Sequence, residues 1–290
     1  MIRLDAATVL LQWAAGGLLF LWVTTRRREV GIGYGWLLRG TYLLMAAGAA
    51  WVGAATDAPG ALLVSAGLTA AAAFVALVVS VVRRRAGVAG ERERLARTRE
   101  RVAVGYATTG IERRDDDAPD PTVPEFPPVL DLVAPIVAVV GLVAGGIDAA
   151  GDEAAWLAVA RTVVGAAFLG AVSDAMLLGH WYLVQPGLAR GPLLELVRWV
   201  GLVWPAEVAL LLVPTGMASV WSGSIDDGYA GMLGWFWLAC AIATIALVVV
   251  TRAALRERAY SAVMAATGLL YLAILTAFGT DLVARAVLAG

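Results

Sequence analysis

The sequence contains no lysine, one cysteine and one histidine among its 290 residues. A single cysteine, Cys240, excludes an intrachain disulfide and any zinc or iron–sulfur site built from several cysteines. The single histidine, His180, excludes a haem ligated by two histidines of the same chain. Charged residues are scarce at 16%, whereas 60% of residues are hydrophobic and the mean hydropathy is +0.79. This composition predicts an integral membrane protein, because a soluble domain of this length needs far less apolar sequence for its core.

Eight apolar segments are long enough to cross a bilayer, which takes about 20 helical residues. Every backbone amide inside a bilayer must be bonded within its own segment, so the segments predict an all-α bundle of about eight transmembrane helices. The helices are expected at residues 7–25, 34–55, 61–82, 129–149, 156–184, 193–213, 232–250 and 260–283. Residues 1–85 then hold three helices, residues 86–128 a polar insertion, and residues 129–290 five helices.

Arginine supplies all 22 basic residues and is distributed unequally between the loops. One side of the bundle collects residues 26–28, the loop 83–114, Arg190, and residues 252–258, whereas the other side has Arg3, Arg285 and mainly acidic loops. The positive-inside rule makes the first side cytoplasmic and both termini external. Positive charge is concentrated after the first apolar run, which predicts an uncleaved helix and not a signal peptide. The expected location is the cytoplasmic membrane of a bacterium, with several passes.

The polar insertion has two parts of opposite charge. Eight arginines and three glutamates lie between residues 83 and 101, and Glu93 and Arg97 have an i,i+4 spacing that favours a helix. The basic loop 83–114 is a candidate surface for anionic lipid or a protein partner, although positive-inside topology alone also explains its charge. The acidic, proline-rich end of the insertion predicts an unstructured linker. No nucleic-acid partner is predicted.

Ionisable residues inside the predicted helices gather on the fifth and sixth. They are Arg161, Asp174, Glu195, Arg198 and Glu207. Such residues cost about 2.5–3.5 kcal/mol at a helix centre and normally face the bundle or a water-filled cavity. Glu207 follows Pro205, which removes one helical hydrogen bond near the middle of the span. The five residues are interpreted as a polar pathway. The alternative is structural pairing, of Glu207 with Arg161 and of Glu195 with Arg198.

Helix geometry and position limit the interpretation of other polar residues. Asp174 and His180 are six residues apart, about 240° around a helix, so they do not form a dyad on one face. Arg39 lies in the cytoplasmic part of the second helix and is expected to extend its side chain to the membrane surface. Gly141 and Gly145 have the spacing of residues that let helix backbones approach closely.

His180, Trp181 and Tyr182 form a second candidate site at the cytoplasmic end of the fifth helix. Imidazole exchanges protons near neutral pH, which suits His180 to a quinone site or a proton relay. A haem with His–Met or five-coordinate ligation is also compatible with the six methionines. The alternative is an imidazole of the interfacial aromatic belt, bonded to a loop carbonyl.

The sequence lacks a nucleotide-binding glycine loop, an HExxH motif, a metal-ligand cluster and a Ser–His–Asp arrangement, which disfavours an enzyme. Three functions remain. The first is a small-solute or ion transporter with a polar path between the fifth and sixth helices. The second is a membrane subunit of a respiratory or redox complex that binds quinone or haem near His180. The third is an assembly or scaffold protein that uses the loop 83–114.

Overall fold

The computed structural model describes residues 4–93, 96, 122–151, 154–185, 187–213, 216–257 and 259–289. Within these ranges the chain forms eight long helices and no β-strand. The helices are α1 (Ala6–Thr25), α2 (Ile32–Ala55), α3 (Gly60–Val82), α4 (Leu130–Ala150), α5 (Ala155–Val184), α6 (Gly191–Leu212), α7 (Met232–Ala254) and α8 (Tyr260–Leu288). The prediction of an all-α bundle is confirmed.

The helix boundaries agree with the sequence to within two residues, except at two carboxyl ends. Helix α7 continues to Ala254 and α8 to Leu288, beyond the expected ends at residues 250 and 283. Helix α8 extends further because Arg285, which the sequence placed in an external terminus, is fully buried and bonded to Asp281 within the same helix.

Seven of the eight helices are long and apolar enough to cross a membrane. The exception is α6, which carries Glu195, Arg198 and Glu207. The outer surface of the bundle is apolar, with large side chains such as Leu44 and Leu275 about 70% exposed (73% and 69%). An apolar surface this extensive indicates contact with lipid.

Helix α1 packs against α2, α4 and α5 and crosses α5 at two glycines. A Cβ atom on Gly170 would lie 2.1 Å from the carbonyl carbon of Gly16, so neither position has room for a side chain. Gly165 lies beside Gln12, one turn before this crossing, so the two helices run in the same direction. The close approach brings the polar side chains of α1 and α5 into contact.

Helix α4 packs on α1 and α3 through the two glycines that the sequence singled out. A Cβ on Gly141 would lie 2.7 Å from the side chains of Leu11 and Ser65, and one on Gly145 would lie 3.1 Å from Thr8. The expected packing role of these glycines is confirmed. Ser65 uses the space by accepting a hydrogen bond from the Gly141 N–H at 3.0 Å.

The two ends of the bundle differ in charge. Gln12 near the start of α1 contacts Arg285 near the end of α8, so both chain ends lie at the same end of the bundle. The opposite end, called here the arginine-rich end, holds the residues that follow α1 and α3 and those in and after the last turn of α7. They include Arg26, Arg27, Arg28, Arg83, Arg84, Arg85, Arg252 and Arg256.

The last residues of the polar insertion fold back on the arginine-rich end. Phe126 is buried beneath Arg39, and Glu125 forms ion pairs with Arg28 and Arg92. Residues 122–128 have no regular secondary structure, and these contacts pack Glu125 and Phe126 against the bundle. Most of the basic loop 83–114, including Arg97, lies outside the described residues.

Candidate functional site

Five polar side chains, each fully buried, meet between α1, α5, α6 and α8. They are Gln12, Arg161, Glu207, Asp281 and Arg285, called here the four-helix cluster. The cluster contains two carboxyl groups, two guanidinium groups and one amide. Charges buried inside a helix bundle are costly unless they are paired, so their concentration at one place is either a structural tie or a functional site.

Hydrogen bonds hold one half of the four-helix cluster together. The Nε of Arg285 donates to Oδ2 of Asp281 at 2.7 Å, and its Nη2 donates to Oε1 of Gln12. The Nε of Arg161 donates to the carbonyl oxygen of Leu210 at 2.9 Å. Gly165 leaves the space that this arrangement needs, since a Cβ there would lie 2.2 Å from Nε2 of Gln12.

The other half of the four-helix cluster is a pair of adjacent carboxyl groups. Glu207 faces Asp281 directly and lies within electrostatic reach of Arg285 and Arg161. In the described part of the chain, neither oxygen of Glu207 has a hydrogen-bond donor, and neither does Oδ1 of Asp281. Two ionised carboxylates cannot bond to each other, whereas a carboxylate and a carboxylic acid can. A proton on either group would therefore allow a hydrogen bond between the two.

Asp174 forms a second buried polar centre, separate from the four-helix cluster. It lies thirteen residues after Arg161, or about 20 Å along α5. The Tyr42 hydroxyl donates to Oδ1 of Asp174 at 2.5 Å, and the Tyr34 hydroxyl donates to its backbone oxygen at 3.3 Å. Oδ2 has no hydrogen-bond partner among the described residues, and no arginine there contacts the carboxyl group.

One hydrogen bond crosses the contact between α1 and α5 in the region between the two centres. Trp13 donates through Nε1 to Oγ of Ser173 at 2.8 Å. Gln12 and Asp174 are the chain neighbours of these two residues, but successive side chains on a helix point about 100° apart. The bond therefore joins α1 to α5 and is not a continuous chain of hydrogen bonds from the carboxyl pair to Asp174.

A third buried charged site lies near the arginine-rich end. Arg39 donates to both oxygens of Asp131, with Nε and Nη2 each at 2.7 Å, and Thr25 donates to Oδ2 at 2.8 Å. The guanidinium carbon lies 4.1 Å from the centre of the Phe126 ring. The expectation that Arg39 extends to the membrane surface is wrong, because Asp131 neutralises the side chain inside the bundle, where it is 1% exposed.

The five residues of the predicted polar pathway fall into three places. The structure brings Arg161 and Glu207 together in the four-helix cluster and places Asp174 in the second centre. Glu195 and Arg198 lie at the arginine-rich end. The expected Glu195–Arg198 pair is wrong, because Arg26 and Arg27, which follow α1, each reach Glu195 at 2.6 Å.

Sequence reasoning missed several members of the buried sites. Asp281 and Arg285 have the i,i+4 spacing of a helical ion pair. The expected end of the last helix, at residue 283, lies between them and left Arg285 outside the helix. Asp131 lies in the first turn of α4 and was not considered as a partner for Arg39. Gln12 and Tyr42 carry no signal of their own, since uncharged polar residues are common in transmembrane helices.

The three residues of the second candidate site point in different directions. Nδ1 of His180 lies 3.0 Å from the Tyr271 hydroxyl on the exposed surface of α5 and α8. Trp181 donates to Gln185 at 3.0 Å, and the buried Tyr182 hydroxyl donates to the carbonyl oxygen of Ala189. The partner of His180 is therefore a tyrosine and not the expected loop carbonyl. Across the described residues, no group of three or more His, Cys, Asp or Glu side chains is arranged to hold a metal ion.

The chain matches no protein-family model, and comparison with curated proteins and with solved structures found no match. The described part of the chain has seven helices apolar enough to cross a membrane and an apolar outer surface. These features are those of a polytopic membrane protein built as a helical bundle.

Proposed function

We propose that this membrane protein moves protons between the four-helix cluster and Asp174, either alone or coupled to a small solute or ion. The adjacent buried carboxyl groups of Glu207 and Asp281 carry the proposal. Ionisable groups that face the interior of a transmembrane bundle are typical of proton relays and ion pathways. A pair with unbonded carboxyl oxygens suits proton binding better than a purely structural role, which would saturate those oxygens.

All eight long helices cross the membrane in this proposal. The charges of α6 do not oppose a crossing, because Glu207 is fully buried from lipid and Glu195 and Arg198 lie near the arginine-rich end. That end faces the cytoplasm by the positive-inside rule, and both termini are then external. The proposed location is the cytoplasmic membrane.

Asp174 serves as the second proton-binding group. It is buried without a neighbouring cation in the described residues, so only hydrogen bonds compensate its carboxyl group. Burying an isolated carboxylate is costly, which favours a group that takes up and releases a proton with changes in its surroundings. Tyr42 supplies a hydroxyl group at this position, and hydroxyls both donate and accept.

The contact between Gly16 and Gly170 closes the path between the two centres. Backbones that touch leave no room for a column of water at this crossing, which supports assigning the structure to a closed state in the proposed mechanism. Transfer from one centre to the other therefore requires a relative movement of α1 and α5. This favours a transporter mechanism over a permanently open channel.

Proton influx into proteoliposomes tests the proposal. The purified protein is reconstituted with a pH-sensitive dye inside the vesicles, and a potassium diffusion potential drives protons inward. The wild-type protein is expected to acidify the lumen faster than empty vesicles, and Glu207→Gln and Asp174→Asn are each expected to abolish the difference. The matched control is Asp57→Asn, which removes an exposed carboxylate at a positive φ of 52° that asparagine tolerates. Equal influx in the wild type and Glu207→Gln would overturn the proposal, and no influx in the wild type would exclude proton movement that is not coupled to a solute.

A redox subunit is the second candidate, and the bond between His180 and Tyr271 is the observation that favours it. An imidazole and a phenol on the exposed face of the bundle offer hydrogen bonds to a membrane-dissolved quinone. An absorption spectrum before and after dithionite tests for the haem alternative. A Soret band that shifts on reduction and disappears in His180→Ala would establish ligation by this residue, and a featureless spectrum would exclude a retained haem.

A further inference from the structure

Helices α6 and α7 contact each other in the middle of the bundle. At the arginine-rich end they leave an opening between them. Trp204 donates through Nε1 to the carbonyl oxygen of Ala241 at 3.0 Å, and Gly201 packs beside Val248. Beyond these contacts, toward the start of α6 and the end of α7, lies a cavity of about 560 Å³ that is open to the outside. The segment that follows α1 borders it through Arg27.

The lining of this cavity, called here the basic groove, is strongly positive. It consists of Arg27, Leu194, Glu195, Arg198, Trp199, Leu202, Arg252 and Arg256. Four arginines and one glutamate give a formal charge of +3. This concentration of positive charge lies outside both buried polar centres and plays no part in the proposed proton path.

The single glutamate in the groove is neutralised by the arginines that follow α1. Glu195 forms ion pairs of 2.6 Å with both Arg26 and Arg27. Arg198, Arg252 and Arg256 are exposed and form no ion pair with any residue that the structure describes. Three guanidinium groups thus border one opening without a protein anion to neutralise them.

One wall of the basic groove is apolar. Trp199 and Leu202 are 37% and 55% exposed, and Leu202 lies one helical turn beyond Arg198 in the direction of the membrane interior. The side chain of Trp199 is held in place by an edge contact with Phe20, with ring centres 5.9 Å apart. The opening therefore offers positive charge near the membrane surface and hydrocarbon contact below it.

We propose that the basic groove binds an anionic phospholipid, with its phosphate on Arg198, Arg252 and Arg256 and an acyl chain along Leu202. Guanidinium groups bind phosphate oxygens through paired, charge-assisted hydrogen bonds. Basic pockets between transmembrane helices on the cytoplasmic side are typical sites for acidic lipid headgroups. A soluble phosphate shares the first of these contacts but gains nothing from the apolar wall. The inference does not depend on proton movement.

Native mass spectrometry of the detergent-purified protein tests the site, with phosphatidylglycerol titrated against phosphatidylcholine as the zwitterionic reference. The wild type is expected to retain phosphatidylglycerol in preference to phosphatidylcholine. In Arg198→Gln/Arg252→Gln, the affinity for phosphatidylglycerol is expected to fall at least about tenfold, since each arginine near an anionic lipid contributes about one kcal/mol. The control Arg84→Gln/Arg85→Gln removes two exposed arginines from the same end of the bundle, away from the groove. It is expected to bind as the wild type does.

Three results would overturn the proposal. Equal losses in the groove and control variants would mean that the lipid responds only to overall charge. Unchanged binding in the groove variant would remove Arg198 and Arg252 from the site. Displacement of bound phosphatidylglycerol by inorganic phosphate at equal concentration would assign the groove to a soluble anion. All four arginines are exposed, so the melting temperature in zwitterionic detergent should be the same in every variant.

Discussion

The site at Arg39 and the four-helix cluster both bury charge inside the bundle, but they satisfy it differently. Asp131 accepts two hydrogen bonds from Arg39 and one from Thr25, so one carboxylate meets one guanidinium with both oxygens bonded. In the four-helix cluster, Glu207 and Asp281 face each other, and three of their four oxygens have no hydrogen-bond donor in the described residues.

This difference separates a structural ion pair from a candidate functional site. Both oxygens of Asp131 are bonded, so this carboxylate gains nothing from a change in protonation, and its bonds to Arg39 tie α2 to α4. The one atom of the pair without a hydrogen-bond partner in the described residues is Nη1 of Arg39. A carboxyl pair with unbonded oxygens gains a hydrogen bond when one proton arrives. The same residue types thus serve different purposes according to how many of their hydrogen bonds are made.

The largest effect on stability is expected at the saturated pair. Asp131→Asn leaves Arg39 as a buried, uncompensated cation, and breaking a buried pair in this way costs about 3–5 kcal/mol. Equilibrium unfolding in mixed detergent micelles measures the loss of free energy of unfolding, with the exposed Asp57→Asn as the control. A loss below about 1 kcal/mol would show that Arg39 is neutralised by another group and that the two sites are not different in kind.

The glycine contact between the two polar centres is expected to be the next most sensitive position. Gly170→Ala places a Cβ about 2 Å from the Gly16 backbone, which forces α1 and α5 apart and costs up to about 3 kcal/mol. Gly67→Ala is the control, because nothing lies within 4 Å of its Cβ, and alanine there should stabilise the helix by about 0.5–1 kcal/mol. The same unfolding assay compares them, and equal effects of the two substitutions would refute the tight crossing.

A substitution at the Asp174 centre is expected to lower the free energy of unfolding less than a substitution at either of these sites. Tyr42→Phe removes the donor to Oδ1 and should lower the free energy of unfolding by about 1 kcal/mol, while slowing proton influx in the vesicle assay. Tyr229→Phe, in an exposed loop, should change neither quantity. If Tyr42→Phe weakened the fold but left proton influx intact, Tyr42 would be a structural residue only.

The smallest effect concerns the loop before α7, which provides a carboxylate outside the membrane for comparison. Desolvation acts to raise the pKa of Asp227, but hydrogen bonds from the backbone N–H groups of Gly231, Tyr229 and Leu233 outweigh it and lower the pKa. A lowered folded-state pKa adds stability above the unfolded-state pKa, and this stability is lost as pH falls through the folded-state value.

Asp227→Asn should therefore be slightly less stable than the wild type at neutral pH, and the difference should shrink as the solution is acidified below about pH 4. Melting curves recorded across this range measure it. Asp226→Asn removes a neighbouring carboxylate with one backbone hydrogen bond and is the control for the loss of a negative charge in the same loop. A difference that grows with acidification would contradict the sign of the shift.

The fold was largely predictable because apolar runs and arginine clusters mark where a helix enters and leaves a membrane. The eight segments follow from the lengths of the apolar runs alone, and the charged residues of α6 did not prevent its identification as one of them. The paired residues were less accessible. Arg39 and Asp131 lie 92 positions apart, and only the packing of both α2 and α4 on α1 and α3 brings their side chains together.

The four-helix cluster was predictable in part. Arg161 and Glu207 were apparent as ionisable residues in apolar segments, on neighbouring antiparallel helices. The pairing of Asp281 with Arg285 was not apparent, since the expected end of the last helix placed the arginine outside the membrane. The hydrogen bond from Trp13 to Ser173 depends on two glycines that let α1 and α5 touch, which no local pattern reveals.

Infrared difference spectroscopy between acidic and alkaline pH tests most directly whether the unbonded carboxyl groups exchange protons. A protonated carboxyl group has a C=O stretching band that disappears when the proton leaves. The reconstituted wild type is expected to show such bands, with one component missing in Glu207→Gln and another in Asp174→Asn, while Asp57→Asn retains both. Spectra of Glu207→Gln and Asp174→Asn identical to that of the wild type would show that neither group titrates, and would contradict the proposed proton path.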